Sequence, residues 1–329
     1  MRPQRIGLTA FFTLIATVST PLSSSFPAEF VSSRVLAQTP DTREVRTSAV
    51  QVPAELSRQD KSDKFDYWIN LGKSQLGKQN YTEALAAYDK AVQLNSTSES
   101  AWQNRGNALY NLKRYQEAIA SFDQAISLNP NNEETWVGRG NALDDLGKPQ
   151  DALTSYDRAL ALNPNSAWAW YNRGVTLKRL KKLEESLDSY DRAIQLQPDY
   201  TWAWYERGRS LEDLKRYQDA IASYDQVIRL SPDDENAWFH RGLVVSKLKR
   251  FQEAFEAFDR VTRLNPKNEI AWYNRGLTLW QLKQYKDALN SFEEVLRINP
   301  NDTDAQENRQ RLLRQLKQQP DTVIAVLPQ

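Results

Sequence analysis

Apolar residues between positions 65 and 302 recur at the three- and four-residue spacing of an amphipathic α-helix. The helical stretches come in pairs, and a short polar turn such as residues 112–115 (Leu-Lys-Arg-Tyr) separates the two members of each pair. A pair of this length cannot bury its apolar face alone, so neighbouring pairs have to stack to complete a core. The pattern predicts an all-α chain built from stacked helix pairs.

A 34-residue period organises this region. Tryptophan stands at positions 68, 102, 136, 170, 204, 238 and 272. Glycine follows each tryptophan after four residues, a small residue after 16 (alanine in six units, Ser186 in the fourth), and an aromatic residue after 20. A proline closes each unit 28 residues after the tryptophan, except that Ser96 replaces it in the first unit. A fixed period of this kind indicates a repeat architecture.

The repeated residues have physical roles within one unit. Gly106 and Ala118 are small where the two helices have to approach closely, and Trp102 is expected to fill the space between them. Pro130 lacks an N–H and disfavours helix at the residue before it, so it ends the second helix.

These positions carry a resemblance to the tetratricopeptide repeat (TPR) family that runs over residues 65–302 without a gap. The resemblance implies an all-α fold: a right-handed α-solenoid of seven helix-turn-helix units, with a concave groove lined mainly by the first helices. The seven units are expected at 65–98, 99–132, 133–166, 167–200, 201–234, 235–268 and 269–302.

A terminal helix and an apolar tail follow the repeats. Residues 303–319 begin like an eighth first helix, but glutamines replace the tryptophan and glycine, and one apolar stripe remains, which predicts a capping helix. Pro320 stops it. The tail at 320–329 is apolar without helical period. Disorder of the tail is one expectation, and docking in its own groove or in a neighbour's is the other.

The N-terminus has the layout of a secretory signal. Arg2 and Arg5 precede an uncharged stretch at 6–22, and cleavage is expected after Ala37. We therefore expect a signal peptide over 1–37 and export to the periplasm, a lumenal space or the exterior. The rival interpretation is a membrane anchor formed by residues 6–22. Residues 38–64 are polar and predict a flexible linker.

An arginine stands immediately before the repeated glycine, whereas the family pattern has leucine at this position. Only the first repeat of this chain has the leucine, at Leu71. An acidic residue follows each second-helix aromatic. Pairing each acid with the arginine of the next repeat uses all seven acids and all seven arginines. Pairing within a repeat would leave Asp89 and Arg309 without a partner. We therefore predict seven inter-repeat ion pairs, from Asp89–Arg105 to Glu293–Arg309. The alternative is that the arginines bind an acidic ligand.

The resemblance also implies where a partner binds, because TPR ligands usually contact fixed positions of the first helices. Carried over to this chain, these positions predict a partner-binding groove of Asn107, Asn141, Trp168, Tyr171, Lys178, Arg179, Trp202, Tyr205, Arg209, Phe239, Tyr273 and Trp280. Large aromatic side chains beside basic groups suit peptide anchoring. The alternative is that the aromatic residues stack on neighbouring repeats and stiffen the array. The family's carboxylate clamp is only half present, since Gln103 stands where lysine is expected.

Composition narrows the function classes. Lys+Arg 43 against Asp+Glu 42 gives no overall basic field, so we expect no nucleic-acid partner. The absence of cysteine and a single histidine, His240, leave no ordinary metal site, and we expect no cofactor and no catalytic residues. His240 itself is interpreted as a surface residue.

The sequence therefore predicts a non-catalytic scaffold outside the cytoplasm that binds a protein or peptide segment in the groove of repeats four to seven. The alternative is a structural or self-associating protein whose groove holds its own or a neighbour's C-terminal tail. A membrane partner is expected only if the N-terminal segment is uncleaved.

Overall fold

A computed structural model of the chain describes residues 58–318. The expected signal peptide, the anchor alternative at 6–22, most of the expected linker and the apolar tail lie outside these residues. The first helix begins at Arg58, so the last seven residues of the expected linker are helical rather than flexible. Within the described part of the chain all regular structure is helical.

The described residues fall into two compact units, 58–181 and 182–318, called here the first and the second unit. The first unit contains α1(Arg58–Gly77), α2(Tyr81–Leu94), α3(Glu99–Asn111), α4(Tyr115–Leu128), α5(Glu133–Asp145), α6(Pro149–Leu162) and α7(Ala167–Arg179). The second unit contains α8(Leu183–Leu196), α9(Thr201–Asp213), α10(Tyr217–Leu230), α11(Glu235–Lys247), α12(Phe251–Leu264), α13(Glu269–Gln281), α14(Tyr285–Ile298) and α15(Thr303–Lys317).

Within each unit, consecutive helices pack as pairs, and neighbouring pairs pack on one another. In the first unit α1 pairs with α2, α3 with α4, and α5 with α6. In the second unit α9 pairs with α10, α11 with α12, and α13 with α14, and α15 packs against α14. The all-α repeat fold with a terminal helix is thereby confirmed.

The repeated glycines explain how closely each pair packs. A methyl group added at Gly106 would lie 2.7 Å from the Phe122 ring, and one added at Gly208 would lie 2.7 Å from the Tyr224 ring. The aromatic ring of the second helix therefore rests directly on the backbone of the first, which is why a side chain is absent there. The ring is completely enclosed, since Tyr224 is 0% exposed and Phe122 is 1% exposed.

Most first helices begin at a side-chain cap, although α9 begins at Tyr200 without one, and the first helices of the seven repeats end in a turn with a left-handed residue. Asn132 accepts a hydrogen bond from the Thr135 amide, and serine, aspartate or asparagine does the same at 98, 166, 234, 268 and 302. At the other end of α3 the Lys113 amide donates to the Tyr110 carbonyl and the Arg114 amide to the Leu109 carbonyl. These two bonds form a Schellman motif, which places Lys113 at positive φ.

The residue at positive φ is lysine in five of the described turns, although glycine adopts this conformation with less strain. We predict that Lys215→Gly raises the free energy of unfolding of the second unit by about 0.5–1 kcal/mol. Ala222→Gly, on the exposed side of α10, is the control and should lower it by about 1 kcal/mol. Denaturant unfolding measures both. A loss of stability in Lys215→Gly would contradict the turn geometry.

The repeated tryptophans join each first helix to the loop before it. Trp136 is partly buried, and its Nε1–H donates to the carbonyl of Pro130 at 2.9 Å. The same bond recurs at Trp102, Trp170, Trp204, Trp238 and Trp272, to the carbonyl six residues earlier. In α15 the side-chain amide of Gln306 replaces the indole and donates to the Pro300 carbonyl at 2.8 Å.

All seven predicted arginine–acid pairs are present. Each arginine places Nε within 2.6–3.2 Å of a carboxylate 16 residues earlier, from Asp89–Arg105 to Glu293–Arg309. Some of these arginines also donate through Nη1 to a serine 16 residues later, as Arg207 does to Ser223 at 2.7 Å; the others are Arg105, Arg139 and Arg275. The arginines therefore connect one repeat to the next, which confirms the predicted pairing.

The carboxylates of most of these pairs are solvent-exposed; Asp123, for example, is 50% exposed. Ion pairs of this kind contribute little net stability, on the order of 0–1 kcal/mol each. The same geometry recurs in every pair and fixes which residues of neighbouring repeats meet. We therefore infer that the pairs set the register in which the repeats stack.

Candidate binding face of the first helices

Trp202 is the one exposed tryptophan among the ten, all of which lie within residues 58–318. It stands in the first turn of α9 and is 47% exposed. The repeat's own tryptophans are partly buried against their loops. Trp202 therefore presents a large apolar surface to solvent with no role in the repeat frame.

Tyr205 lies one turn further along α9 and is 6% exposed. Its hydroxyl is hydrogen-bonded to Arg209, and burial raises the pKa of Tyr205 to about 12 despite the nearby guanidinium. Nη1 of Arg209 lies 3.5 Å from Nε2 of His240 on α11. The basic group on this face is thus held between a phenol and an imidazole.

Glu212, 11% exposed, is the centre of a polar cluster that joins α9, α10 and α11. Its carboxylate accepts from Lys247 Nζ at 2.7 Å and from the Tyr224 hydroxyl at 3.2 Å, and lies 3.3 Å from His240 Nδ1. Burial acts to raise the pKa of Glu212, but the hydrogen bonds from His240 and Lys247 outweigh it and lower the pKa to about 2. The carboxylate is therefore ionised and fully engaged.

The prediction that His240 is a surface residue is wrong. Its side chain is 16% exposed, stacks on the Tyr224 ring at 5.7 Å, and meets the Tyr205 ring edge-on at the same distance. The ring replaces the smaller residue found at this position in other first helices, and the carboxylate of Glu212 stabilises it there.

The remaining predicted residues of the second unit pack inward. Phe239 meets the ring of Phe258 edge-on at 5.8 Å. Tyr273 is 6% exposed, and its hydroxyl accepts from Asn308 Nδ2 on α15 at 3.0 Å. Trp280 is partly buried and meets Phe292 edge-on at 6.4 Å. These three aromatic residues therefore contribute to stacking, as the alternative interpretation expects.

The predicted residues of the first unit are similarly engaged. Trp168 stacks on Tyr171 at 6.1 Å with an angle of 27° between the rings, and both lie on α7. The Asn141 side chain accepts from the Tyr156 hydroxyl at 2.8 Å. Asn107 on α3 and Lys178 on α7 are partly exposed.

Arg179 lies beside two adjacent carboxylates of the first unit, those of Asp144 and Asp145. Its Nη1 lies 3.1 Å from Oδ1 of Asp144 and donates to that residue's carbonyl at 2.7 Å. The neighbouring Asp145 accepts from the Tyr110 hydroxyl at 2.7 Å. Burial raises the pKa of Asp144, although Arg179 acts in the opposite direction. The charge of Arg179 is thus balanced within the unit.

A spacing of 35 residues connects these contacts. Tyr110–Asp145, Asp144–Arg179 and Glu212–Lys247 each join one first helix to the next. Of these six residues only Arg179 is among the predicted groove residues, and its pairing with Asp144 was not predicted. The 35-residue separation of opposite charges is the signal that could have revealed two of the three pairs.

No group of three or more histidine, cysteine or acidic side chains suited to a metal ion occurs between residues 58 and 318. None of the fifteen described helices combines the length and apolar character needed to cross a membrane.

Family models cover most of the repeat region. One described as "Tetratricopeptide repeat" matches residues 137–201 and 205–269, a second with that description matches 100–132 and 270–302, and one described as "TPR repeat" matches 72–113. A comparison with curated proteins gave no match.

Solved structures share the fold. The C-terminal part of a TPR repeat-containing protein from Cytophaga hutchinsonii is 17% identical with a TM-score of 0.65, covering 74% of this chain and 98% of that one. PilW, described as a widely conserved type IV pilus biogenesis factor, is 21% identical with a TM-score of 0.58, covering 63% and 96%.

YrrB, described as a TPR protein with an unusual peptide-binding site, is 24% identical with a TM-score of 0.53, covering 58% of this chain and 99% of that chain. Identities this low establish the fold alone. Together with the family models and the helix pairing, they show that this chain belongs to the tetratricopeptide repeat family.

Proposed function

We propose that the first-helix face of the second unit binds a peptide segment of another protein, with an apolar side chain of that segment seated on Trp202. The observation that carries this proposal is the 47% exposure of Trp202, which lies next to the fixed pair Tyr205–Arg209. Tryptophan and arginine are the side chains most often responsible for affinity at protein interfaces. An exposed tryptophan without a structural role is therefore best explained by a partner.

The surroundings of Trp202 are pre-organised. Tyr205 is buried, Arg209 is held by Tyr205 and His240, and Glu212 is engaged by three side chains. Little side-chain entropy is left to lose on binding, and this lowers the free-energy cost of forming a complex. The carboxylate of Glu212 is paired with Lys247 within the protein, so we expect apolar contact rather than net charge to contribute most to affinity.

This role requires no catalytic step, and TPR proteins are generally scaffolds. YrrB shows that a protein of this fold can carry a peptide-binding site, as its description states. At 24% identity it does not identify the peptide bound here. The location we propose is outside the cytoplasm, on the basis of the basic and then apolar start of the sequence.

We predict that peptides selected from a random display library on the purified protein bind Trp202→Ala at least about tenfold more weakly than they bind the wild type. This difference corresponds to about 1.4 kcal/mol. Tyr67→Ala is the matched control, because Tyr67 is a 59% exposed aromatic residue on α1, outside the proposed face. The affinity of Tyr67→Ala for the same peptides should differ from that of the wild type by less than about twofold. Titration calorimetry measures both. Equal affinity of the wild type and Trp202→Ala would reject this face.

A further inference from the structure

The Trp202 face consists of Trp202, Tyr205 and Arg209, which lie on successive turns of α9. His240 of α11 lies against it, with a side chain that is 16% exposed. The imidazole stacks on Tyr224 and meets Tyr205 edge-on, both at 5.7 Å between ring centroids. Asparagine stands at the corresponding place in four other first helices and in α15, at positions 70, 104, 172, 274 and 308. The repeat frame therefore does not require a ring at this place.

The two polar contacts of the imidazole assign its proton. Nδ1 lies 3.3 Å from a carboxylate oxygen of Glu212, which is ionised and can only accept a hydrogen bond. Nε2 lies 3.5 Å from Nη1 of Arg209, and a guanidinium can only donate. Both contacts are hydrogen bonds only if Nδ1 carries the proton and Nε2 keeps its lone pair. The geometry therefore corresponds to neutral His240 in one tautomer.

Charged and titratable groups surround the ring on three helices. They are Tyr205, Glu206, Arg209 and Glu212 on α9, Tyr224 on α10 and Lys247 on α11. The neighbour from α12 is apolar, since Phe258 lies against Phe239, whose ring meets the imidazole edge-on at 5.9 Å. Lys247 is bonded to Glu212 at 2.7 Å, and the Tyr224 hydroxyl donates to the same carboxylate. Arg209 is thus the charged group whose hydrogen bond depends on the lone pair of His240.

Protonation of His240 changes one of its two polar contacts and keeps the other. Nδ1–H goes on donating to Glu212, in a stronger bond because both partners are then charged. Nε2 becomes a donor and faces another donor, so that two cations stand 3.5 Å apart. Glu212 is already paired with Lys247 and does not separate them. The guanidinium of Arg209 is therefore driven away from the ring.

We propose that His240 is the positioning residue of the Trp202 face and makes peptide binding there dependent on pH. The neutral ring holds Arg209 beside Tyr205, and the protonated ring releases it. Histidine is the side chain that ordinarily changes charge between pH 5 and 8. A released guanidinium has to be ordered again when a peptide binds, which weakens binding as the pH falls. This inference rests on the function proposed above for the same face.

Nitrogen NMR of the untagged chain tests the contact without a peptide, because the sequence contains one histidine. At pH 8 the imidazole shifts should place the proton on Nδ1, and the ring should become protonated as the pH is lowered to 5. Arg209→Gln removes the cation beside Nε2 and should move the midpoint of this titration to higher pH by about half a unit or more. Arg216→Gln is the control, since this guanidinium pairs with Asp219, and should leave the midpoint unchanged. A proton on Nε2 at pH 8, or equal midpoints in the two variants, would overturn the proposal.

Titration calorimetry tests the effect on binding, with a selected peptide that has capped ends and contains no aspartate, glutamate or histidine. Its affinity for the wild type should fall at least about threefold between pH 7.5 and pH 5.5. His240→Asn carries the residue found at the five corresponding places and should bind equally well at both pH values. The same loss in both proteins, or no loss in either, would refute control by His240.

Trp202→Ala at pH 7.5 separates this inference from the proposed function. Weaker binding of the peptide to that variant, together with pH-independent binding to the wild type, would refute the role of His240 alone. Binding that does not depend on Trp202 would refute both.

Discussion

Gly140→Ala is expected to lower the free energy of unfolding of the first unit by about 2–3 kcal/mol, because overpacked cores lose energy of this size. The added methyl group would lie 2.5 Å from Cε1 of Tyr156, whose ring is 1% exposed and cannot move outward. Either the helix pair α5–α6 separates or the ring leaves its preferred rotamer. Denaturant unfolding followed by far-UV circular dichroism measures the loss.

Gly77→Ala is the control for this substitution, since Gly77 ends α1 and has no atom within 4 Å of an added methyl group. It should change the same free energy by less than about 1 kcal/mol. Equal effects at Gly77 and Gly140 would mean that backbone entropy, rather than close approach of the paired helices, explains the repeated glycine.

Glu212→Gln should lower the free energy of unfolding of the second unit by about 3 kcal/mol at neutral pH. This follows from the pKa of Glu212, which is lowered from 4.5 to about 2 and so corresponds to roughly 3 kcal/mol. The amide keeps the shape of the side chain but leaves Lys247 and His240 without their carboxylate. Asp213→Asn, an exposed change on the same helix, is the control and should have little effect.

The pH dependence of this difference has a definite sign. Because the folded pKa of Glu212 lies below the ordinary value, the stabilisation is complete above about pH 4.5 and is lost as the pH falls toward 2. The gap between the wild type and Glu212→Gln should therefore narrow over this interval. A gap of the same size at pH 7 and pH 3 would show that the charge of Glu212 does not stabilise the cluster.

The repeat frame could be predicted from the sequence because each of its determinants recurs every 34 residues. Gly106, Trp102 and Pro130 act through steric and backbone effects that depend little on context. The arginine pairs were predictable for a different reason: counting acids and arginines left only one arrangement without an unused charge. Leu71, which has no preceding repeat, was the residue that decided it.

The candidate site was predictable only as a set of positions. The family pattern places Tyr205 and Trp202 on one face, but it does not say that the first is buried at 6% and the second exposed at 47%. That difference depends on the neighbouring helix, which supplies His240 and Lys247 to the cluster around Glu212. A histidine that occurs once in the chain has no periodic signal, so its burial could not be inferred from the repeat.

Hydrogen–deuterium exchange with a selected peptide locates binding without any substitution. We expect saturating peptide to slow exchange in α9, and in α11 beside it, while exchange in the second helices α10 and α12 stays as in the unliganded protein. Protection confined to the second helices, or protection of the first unit alone, would contradict binding at the Trp202 face.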